Sequence, residues 1–262
     1  MNHNMFHNPI VQDNIEKLKH YGYEIVEPAH GMLANGDMGD GRMPDEELLF
    51  EYIVKEIAFE KDMTGKKVLV TAGATVEAID PVRFITNHSS GKMGFALAKN
   101  AMLRDADVTL VMGKCDSEPP AKDMYDAVIE RADSMDIIVK AAAVADYRPK
   151  NVSSEKVKKQ DGNMSIELER TDDILKTLGE RKNGQFICGF SMETENMLEN
   201  SRKKLEKKNC DMIVANNLKQ DGAGFGGNTN IVTLITKDDE VQLEKMTKDE
   251  VAEKIFDFIL SR

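Results

Sequence analysis

The chain has 262 residues and a formal net charge of −11 at pH 7, with 41% hydrophobic and 31% charged residues. Such a composition is typical of a globular protein with one large domain and a short appendage. No apolar run approaches the ~18 residues that span a bilayer, and the start, MNHNMFHNP, lacks the apolar core of a secretory signal. The acidic balance argues against a nucleic-acid partner, so an anionic ligand must meet local basic clusters.

The cysteine and histidine spacings exclude the common metal motifs. Three cysteines, Cys115, Cys188 and Cys210, are far apart and odd in number, with no CxxC pair. The five histidines show no HExxH or other metal-ligand spacing. We therefore expect reduced thiols in a cytoplasmic protein, without a membrane partner and with its metal ligands unknown.

The first part of the chain differs from the rest. Residues 1–45 are rich in Asn, His, Gly and Asp. One helix is predicted over residues 9–21 and a second over 45–60, where apolar residues recur at helical spacing. The DMTGK turn at 62–66 is a candidate boundary between two domains.

From Lys67 onward, short apolar strands alternate with amphipathic helices. An edge hairpin is predicted over about 151–170, and two short strands precede the final helix. Alternation of this kind indicates an α/β protein whose parallel sheet is covered by helices on both faces. Ligands bind beyond the carboxyl ends of such strands, so the loops that follow them are the candidates for chemistry.

The first of these loops ends in SSGKMG at 89–94, where a helix begins. The GxGxxG and Walker patterns are absent, but the hydroxyl of Ser89 and the N–H groups near Gly91 suit a phosphate. A serine N-cap with glycine for close packing explains the hexapeptide equally well. The long preceding segment adds Asn87 and Arg83, and Arg83 could equally form a surface ion pair.

The second loop is AAAVADYRP, residues 141–149. Three alanines at a strand end leave room for a flat ligand against the backbone, whose free N–H and C=O groups could read a base. Asp146 could accept a hydrogen bond from a ribose hydroxyl. Tight packing of a helix on the sheet would use the alanines equally well.

Two lysine-rich segments, EKVKK and RKKLEKK, could contact phosphates. Lys156 shares one side of an extended segment with a second lysine, and Lys204 and Lys208 lie one helical turn apart. A solvated basic surface is the default interpretation of both segments. Asp172 and Asp173 most simply cap a helix.

Taken together, these loops resemble the phosphopantothenate–cysteine ligase (phosphopantothenoylcysteine synthetase) family of coenzyme A biosynthesis. The similarity covers residues 66–262, in the expected order, and the DPVRxITNxSSGKMG block is highly specific. The resemblance implies a Rossmann-like three-layer αβα fold with a mostly parallel sheet over residues 63–262. It also implies a short mixed-strand extension that forms a homodimer. In bacteria this domain is usually the C-terminal half of a bifunctional chain.

The resemblance also implies a reaction. CTP activates the carboxylate of 4′-phosphopantothenate as an acyl-cytidylate, with release of pyrophosphate, and the amine of cysteine then displaces CMP. Mg²⁺, or Mn²⁺, accompanies the triphosphate. Such chemistry needs positioning and charge neutralisation more than a protein nucleophile.

Residue roles follow by matching position. Asn87 resembles the asparagine that handles the acyl-cytidylate, Arg83 lies in the lid segment, and Lys156 resembles the lysine that contacts the triphosphate. The resemblance implies that the backbone of residues 141–143 reads cytosine. It also implies that Asp146 contacts the ribose and that Phe190 packs on the base. With the phosphate candidates, the predicted nucleotide site comprises Ser89, Gly91, Ala141, Ala142, Ala143, Asp146, Lys156, Asp172, Asp173, Ile174, Leu175, Phe190, Lys204 and Lys208.

The chain departs from the family pattern at two of these places. Ala74 stands where glycine is frequent, and Thr171-Asp172-Asp173 stands where Asn-Pro-Asp is common. The extra aspartate, Asp172, adds negative charge near a nucleotide, so this position matches the family pattern least well.

Residues 1–62 resemble the tail of the flavin-dependent phosphopantothenoylcysteine decarboxylase. Met1 and Asn2 match the end of its PxMN motif, and residues 31–43 match its glycine-rich substrate segment. Asn35 stands at the position of the family's catalytic cysteine and cannot protonate an enethiolate. We therefore expect an inactive remnant that binds no FMN.

Two other functions are compatible with the strand–helix pattern. A dinucleotide-dependent reductase is disfavoured because GxGxxG is missing. A non-catalytic nucleotide-binding module is disfavoured because Asn87, Asp146, Lys156 and Phe190 are all retained. Pyrophosphate release would separate the ligase from that module.

Overall fold

A computed structural model describes residues 1–113, 119–159, 162–193, 196–217 and 226–262. The chain divides into two compact units, Met1–Glu60 and Lys61–Arg262. Within the described ranges, no helix has the length and apolar character needed to cross a membrane. Cys115 lies outside these ranges, and the predicted domain assignment, 1–62 and 63–262, stays a prediction.

The first unit combines short helices with an antiparallel hairpin. Its elements are the helices His3–Phe6 (α1), Pro9–His20 (α2) and Glu46–Ile57 (α3), and the strands Ala29–Met32 (β1) and Met38–Arg42 (β2). The asparagine side chains of Asn2 and Asn8 accept N–H bonds at the starts of α1 and α2. Both predicted helices are present within a few residues of their expected bounds.

A seven-stranded sheet lies at the centre of the second unit. Its strands are Lys67–Ala72 (β3), Asp107–Met112 (β6), Ile137–Lys140 (β7), Phe186–Glu193 (β10), Met212–Asn217 (β11), Val232–Ile235 (β13) and Glu240–Gln242 (β14). The spatial order is β14-β13-β11-β10-β7-β3-β6. The first five strands in chain order pair in parallel, whereas β13 and β14 pair antiparallel.

Helices and short ribbons surround this sheet. The ribbons pair Val76–Ala78 (β4) with Phe84–Thr86 (β5), Tyr147–Pro149 (β8) with Leu168–Arg170 (β9), and Thr229–Asn230 (β12) with Met246–Thr247 (β15). The helices are Lys92–Leu103 (α4), Ala121–Arg131 (α5) with the 3₁₀ turn Ala132–Ser134, Ile174–Arg181 (α6), Met197–Lys207 (α7) and Lys248–Leu260 (α8).

The core has two halves, one on each face of the sheet. Along β3, Val68 and Val70 enter the cluster that contains α4 and α8, whereas Leu69 enters the cluster with α5, α6 and α7. Successive side chains of a strand point to opposite faces of the sheet, which explains this alternation. It confirms the predicted Rossmann-like three-layer αβα class, with a mostly parallel sheet. Cys188 is buried in the core.

The predicted edge hairpin is shorter than its alternating sequence indicated. Only Tyr147–Pro149 and Leu168–Arg170 pair, and most described residues between them form no strand. The intervening chain bonds elsewhere, since the Ser153 N–H donates to the carbonyl of Ile79 at 3.1 Å. Long-range hydrogen bonds therefore replace the local ladder that the pattern predicted.

Helix α4 approaches the sheet closely at Gly94. A Cβ atom at this position would lie 2.5 Å from the Cβ and 2.8 Å from the Cα of Ala72. Because one of these atoms belongs to the backbone of β3, a side chain at 94 would displace the helix from the sheet.

We expect Gly94→Val to lower the free energy of unfolding by about 1–3 kcal/mol because it overpacks the contact between α4 and β3. Urea denaturation followed by circular dichroism measures this change. Met102→Val is the matched control, because Met102 is an exposed residue of the same helix, and it should cost less than about 0.7 kcal/mol. Equal losses in the two variants would contradict the close contact.

Candidate active site

The carboxyl ends of β7 and β10 border a cavity of about 380 Å³. Loops that follow parallel strands meet at one edge of the sheet, which explains why residues distant in sequence line it. The predicted nucleotide-site residues in its wall are Asp146, Asp172, Asp173, Ile174, Leu175, Phe190, Lys204 and Lys208. Eight predicted residues from four chain segments therefore share one cavity.

Three lysines give this cavity its basic character. Lys204 Nζ donates to the carbonyl of Phe190 at 2.8 Å, and Lys208 pairs with the carboxylate of Asp173. The third is Lys140, the last residue of β7, whose Nζ donates to the carbonyl of Ala142 at 3.0 Å. Sequence reasoning missed Lys140, although the signal was present in a lysine that ends an otherwise apolar strand.

Lys140 is half-buried, and its surroundings disfavour the charged form. Burial, together with the nearby cations of Lys204 and Lys208, lowers the pKa of Lys140 to about 8, whereas Asp146 and Asp173 oppose that shift. A buried cation without a full counter-charge costs folding free energy, and such groups cluster at functional sites. The cavity is therefore suited to an anionic ligand that completes the charge balance.

We expect Lys140→Met to raise the free energy of unfolding at pH 7 by about 1–3 kcal/mol, because it removes a half-buried charge. The folded-state pKa, about 8, lies below the ordinary value of 10.5. Between these values the unfolded chain binds the extra proton, so wild-type stability should rise with pH across this window.

Urea denaturation at several pH values measures both effects. Lys203→Met is the matched control, because the Lys203 side chain is 69% exposed, and it should change stability by less than about 0.5 kcal/mol. A Lys140→Met protein that keeps the wild-type rise in stability would contradict the assignment.

Asp173 has the capping role that its position indicated. Its side chain is the N-cap of α6 and accepts the Lys176 N–H at 2.9 Å. Hydrogen bonds from Lys208 and from that N–H lower the pKa of Asp173 against the opposing effect of its partial burial. The carboxylate is thus held by the protein itself, which limits how far it repels an anion in the cavity.

The alanine loop does not present free N–H groups at Ala142 and Ala143. The Ala142 N–H donates to Thr71 Oγ1 at 3.0 Å, and the Ala143 N–H donates to the carbonyl of Gly73 at 2.8 Å. These two N–H groups are therefore not free to read a base, and the assignment of Ala141, Ala142 and Ala143 to the nucleotide stays a prediction. The bonds instead join the loops after β3 and β7, and they leave the Ala142 carbonyl in contact with Lys140.

Asn87 lies beside a second cavity, of about 580 Å³, which Ser89 also lines. Its side-chain amide donates to the carbonyl of Ala143 at 3.1 Å. This bond links the asparagine to the alanine loop, so the two predicted segments do meet. The predicted residues thus line two separate cavities, and their assignment to one active site stays a prediction.

The start of α4 differs from the serine-cap interpretation. Gly91 is the N-cap residue, in the left-handed conformation at φ 72°, and no side chain caps the helix. The hydroxyl of Ser89 instead accepts the Gly91 N–H at 3.4 Å. The serine cap is therefore wrong, whereas the close packing expected of a glycine is present at Gly94. The phosphate assignment of Ser89 and Gly91 stays a prediction.

Arg83 belongs to an ion pair centred on the buried side chain of Asp80. One oxygen of Asp80 accepts from the guanidinium of Arg83 and, at 3.1 Å, from the Val157 N–H. The other oxygen accepts the Val82 and Arg83 N–H groups, both at 2.9 Å. Arg83 Nη2 also donates to the carbonyl of Val157 at 2.9 Å. Arg83 therefore forms an ion pair, although with a buried carboxylate, and its assignment to the reaction stays a prediction.

This arrangement anchors the segment that carries Lys156. The Lys156 side chain is exposed and lies outside the wall of the first cavity, but the next residue is bound to Asp80 and Arg83. Hydrogen bonds from Arg83 hold the pKa of Asp80 well below its usual range. The charged form thus persists at neutral pH, and its stabilising contribution is lost only in strong acid.

We expect Asp80→Asn to loosen the segment around Val157, because a charge-assisted acceptor becomes a neutral one. Hydrogen exchange of the Val157 amide should accelerate by about tenfold or more. Glu169→Gln makes the same chemical change in an exposed pair with Arg148 and should leave this exchange unaltered. Equal exchange in wild type and Asp80→Asn would refute the anchor.

Fold and site together define a three-layer αβα protein with a basic cavity at the carboxyl edge of its sheet. The family model of the DNA/pantothenate metabolism flavoprotein C-terminal domain matches residues 63–262. A second family model, described as flavoprotein, matches residues 1–58. The chain therefore belongs to the DNA/pantothenate metabolism flavoprotein C-terminal domain family and carries a flavoprotein fragment before it.

Several known proteins share this arrangement. The coenzyme A biosynthesis bifunctional protein CoaBC of Bacillus subtilis is 47% identical over 251 residues, which are 91% of this chain and 62% of that protein. A cysteine/cysteine sulfinic acid decarboxylase from an unknown prokaryotic organism is 41% identical over 278 residues, 100% of this chain and 77% of that protein. This chain thus spans less than two thirds of its Bacillus relative.

A solved structure supports the same relationship. The crystal structure of the C-terminal domain of CoaBC superposes with a TM-score of 0.64 at 45% identity. The match covers 77% of this chain and 97% of that chain. It therefore concerns nearly the whole of that domain.

Proposed function

We propose that this protein joins 4′-phosphopantothenate to L-cysteine in a CTP-dependent reaction, as a phosphopantothenate–cysteine ligase of coenzyme A biosynthesis. One observation carries the proposal: a single basic cavity collects eight residues assigned to the nucleotide from four separate segments. Family membership supports it, since relatives are named as coenzyme A biosynthesis proteins.

The cavity residues act by charge and position. Lys140, Lys204 and Lys208 offset the negative charge of the triphosphate, which lets the substrate carboxylate approach the α-phosphate. Bond formation between that carboxylate and phosphorus expels pyrophosphate and leaves an acyl-cytidylate. The neutral amine of cysteine then attacks the acyl carbon, loses a proton and expels CMP.

Two further residues act on the acyl-cytidylate. Asn87 offers an amide N–H donor beside the alanine loop, where it can orient the acyl group. Lys156 reaches the phosphates from the segment that Asp80 anchors. No protein nucleophile is required, because the reaction depends on holding two reactants in line.

The chemistry of the cavity wall also suits Mg²⁺ or Mn²⁺. These ions take oxygen ligands and are usually bound by one or two carboxylates together with substrate phosphates. Asp172 lines the cavity together with Asp146 and is the carboxylate that would hold such an ion, while Asp146 keeps its role at the ribose. When bound, it would neutralise triphosphate charge.

The remaining parts of the proposal concern assembly and the first unit. We propose a cytoplasmic homodimer in which residues 1–62 bind no FMN and have no decarboxylase activity. Asn35 supports this, because it stands at the position where the decarboxylase family has its catalytic cysteine thiol. Its side chain lies in the turn between β1 and β2 and donates to Asp37 at 2.6 Å.

The decisive experiment measures pyrophosphate release with Mg²⁺ and 4′-phosphopantothenate, with CTP or ATP, and with or without cysteine. Turnover that requires CTP and ends in CMP only when cysteine is present would support the ligase. Turnover with ATP but not with CTP would contradict the proposed recognition of cytosine. Binding of CTP without pyrophosphate release would indicate a non-catalytic module, and CO₂ release from cysteine would favour the activity named for the decarboxylase relative.

We expect Lys156→Gln to lower the overall rate by on the order of 100-fold, because a phosphate loses a cationic partner. The fold should be unchanged, since the side chain is exposed. Lys159→Gln is the matched control because it removes an exposed lysine from the same segment. Initial rates of pyrophosphate release measure both variants. A wild-type rate for Lys156→Gln would show that Lys156 is a surface charge without a role in the reaction.

We expect Asn87→Asp to slow conversion of the acyl-cytidylate by on the order of 100-fold, since a carboxylate cannot donate and repels the phosphate. CTP affinity should change far less, because Asn87 borders the second cavity and not the first. Single-turnover measurement of pyrophosphate and CMP separates the two steps. Unchanged CMP release would remove Asn87 from the active site.

A further inference from the structure

Three histidines and one aspartate converge in the first unit, from parts of the chain that sequence spacing did not connect. His7 Nε2 lies 2.8 Å from Asp40 Oδ2, and His30 Nδ1 lies 2.8 Å from Asp40 Oδ1. His3 Nδ1 is 3.8 Å from Asp40 Oδ2. The potential ligand atoms of His3, His7 and Asp40 all lie within 4.8 Å of one another.

The positions of these side chains are set by the surrounding backbone. His30 and Asp40 are directly opposite each other in the β1–β2 register, so the hairpin brings them together. The ring of His3 rests on Gly39, where a Cβ atom would lie only 2.8 Å from the ring. His7 follows α1, one helical turn after His3, and their ring centroids are 4.4 Å apart.

The hydrogen bonds within the cluster leave it suited to a cation. His3 Nδ1 accepts the backbone N–H of Asp40 at 3.1 Å, so this ring nitrogen carries no proton. His7 and His30 both face oxygens of the same carboxylate. Each imidazole can bind a metal in the tautomer that leaves the facing nitrogen unprotonated.

We propose that His3, His7 and Asp40 form a binding site for a divalent transition-metal ion of the Zn²⁺ type, with water as the fourth ligand. Zn²⁺ takes imidazole nitrogen and carboxylate oxygen in a tetrahedron with bonds of about 2.0–2.1 Å, whose ligands lie about 3.3 Å apart. His7 Nε2 and His3 Nδ1 lie 2.8 and 3.8 Å from Asp40 Oδ2, on either side of that value, and all three ligand atoms lie within 4.8 Å of one another. Mg²⁺ prefers oxygen ligands throughout and should bind poorly here.

A bound ion would join α1 to the hairpin that contains β1 and β2. It would cross-link residues that are 37 positions apart in the chain, which stabilises the fold of the first unit by mass action. The site is independent of the proposed ligase function, because none of its residues lines the cavities described above.

The test titrates the full, metal-free chain with Zn²⁺ in competition with a chromophoric chelator. We expect one tightly bound ion per chain, and affinity about 10–100-fold lower in Asp40→Asn and His7→Gln. His20→Gln is the matched control, because His20 is an exposed histidine whose ring contacts Tyr21. Its affinity should equal that of wild type. His7→Gln keeps the test informative if Asp40→Asn unfolds the hairpin.

Replacing Zn²⁺ by Co²⁺ identifies the ligands. A tetrahedral Co²⁺ spectrum without thiolate charge-transfer absorption, lost in His7→Gln, supports the site. A thiolate band would assign the ion to cysteine and overturn the proposal. Equal Zn²⁺ affinity in all four proteins, or no binding in wild type, would overturn it as well.

Discussion

The candidate active site depends on the parallel pairing of β3, β7 and β10. This pairing places the carboxyl ends of three strands at one edge, so that the loops beginning near Ala72, Lys140 and Glu193 emerge side by side. β3 is also the point where the order of the sheet reverses, because β6 pairs on one side of it and β7 on the other. Ligands bind where parallel sheets switch direction in this way. Both cavities lie beside loops that follow these strands.

Two charges give the site its character, and each is balanced differently. Asp80 is surrounded by donors from its own turn and from Val157, so the protein satisfies it completely and gains a rigid anchor for the Lys156 segment. Lys140 has a carbonyl partner and neighbouring lysines, so its charge is only partly offset. The fully paired carboxylate organises the loop, whereas the partly offset cation of Lys140 would favour an anionic ligand. In the first unit, Asp40 is likewise a carboxylate held by partners from other parts of the chain, His7 and His30.

Sequence reasoning succeeded where a feature depends on local pattern. The alternation of strands and helices predicted the αβα class, and the family resemblance supplied eight of the residues that line the first cavity. It failed where long-range hydrogen bonds decide. The Ala142 and Ala143 N–H groups are taken by Thr71 and Gly73, the serine cap is replaced by Gly91, and Lys140 was overlooked inside an apolar strand. The spacing of the histidines did not predict their cluster, because the register of the hairpin brings His30 to Asp40.

The sequence by itself determined the alternation of strands and helices, the acidic balance, the lysine-rich segments and the family resemblance. These are properties of composition, periodicity and motif, which survive without coordinates. Only the tertiary structure decided which loops meet, that Arg83 pairs with Asp80, and that Lys140 is half-buried with a lowered pKa. The physical reason is that burial and hydrogen-bond partners depend on contacts between residues far apart in the chain. No local pattern encodes those contacts.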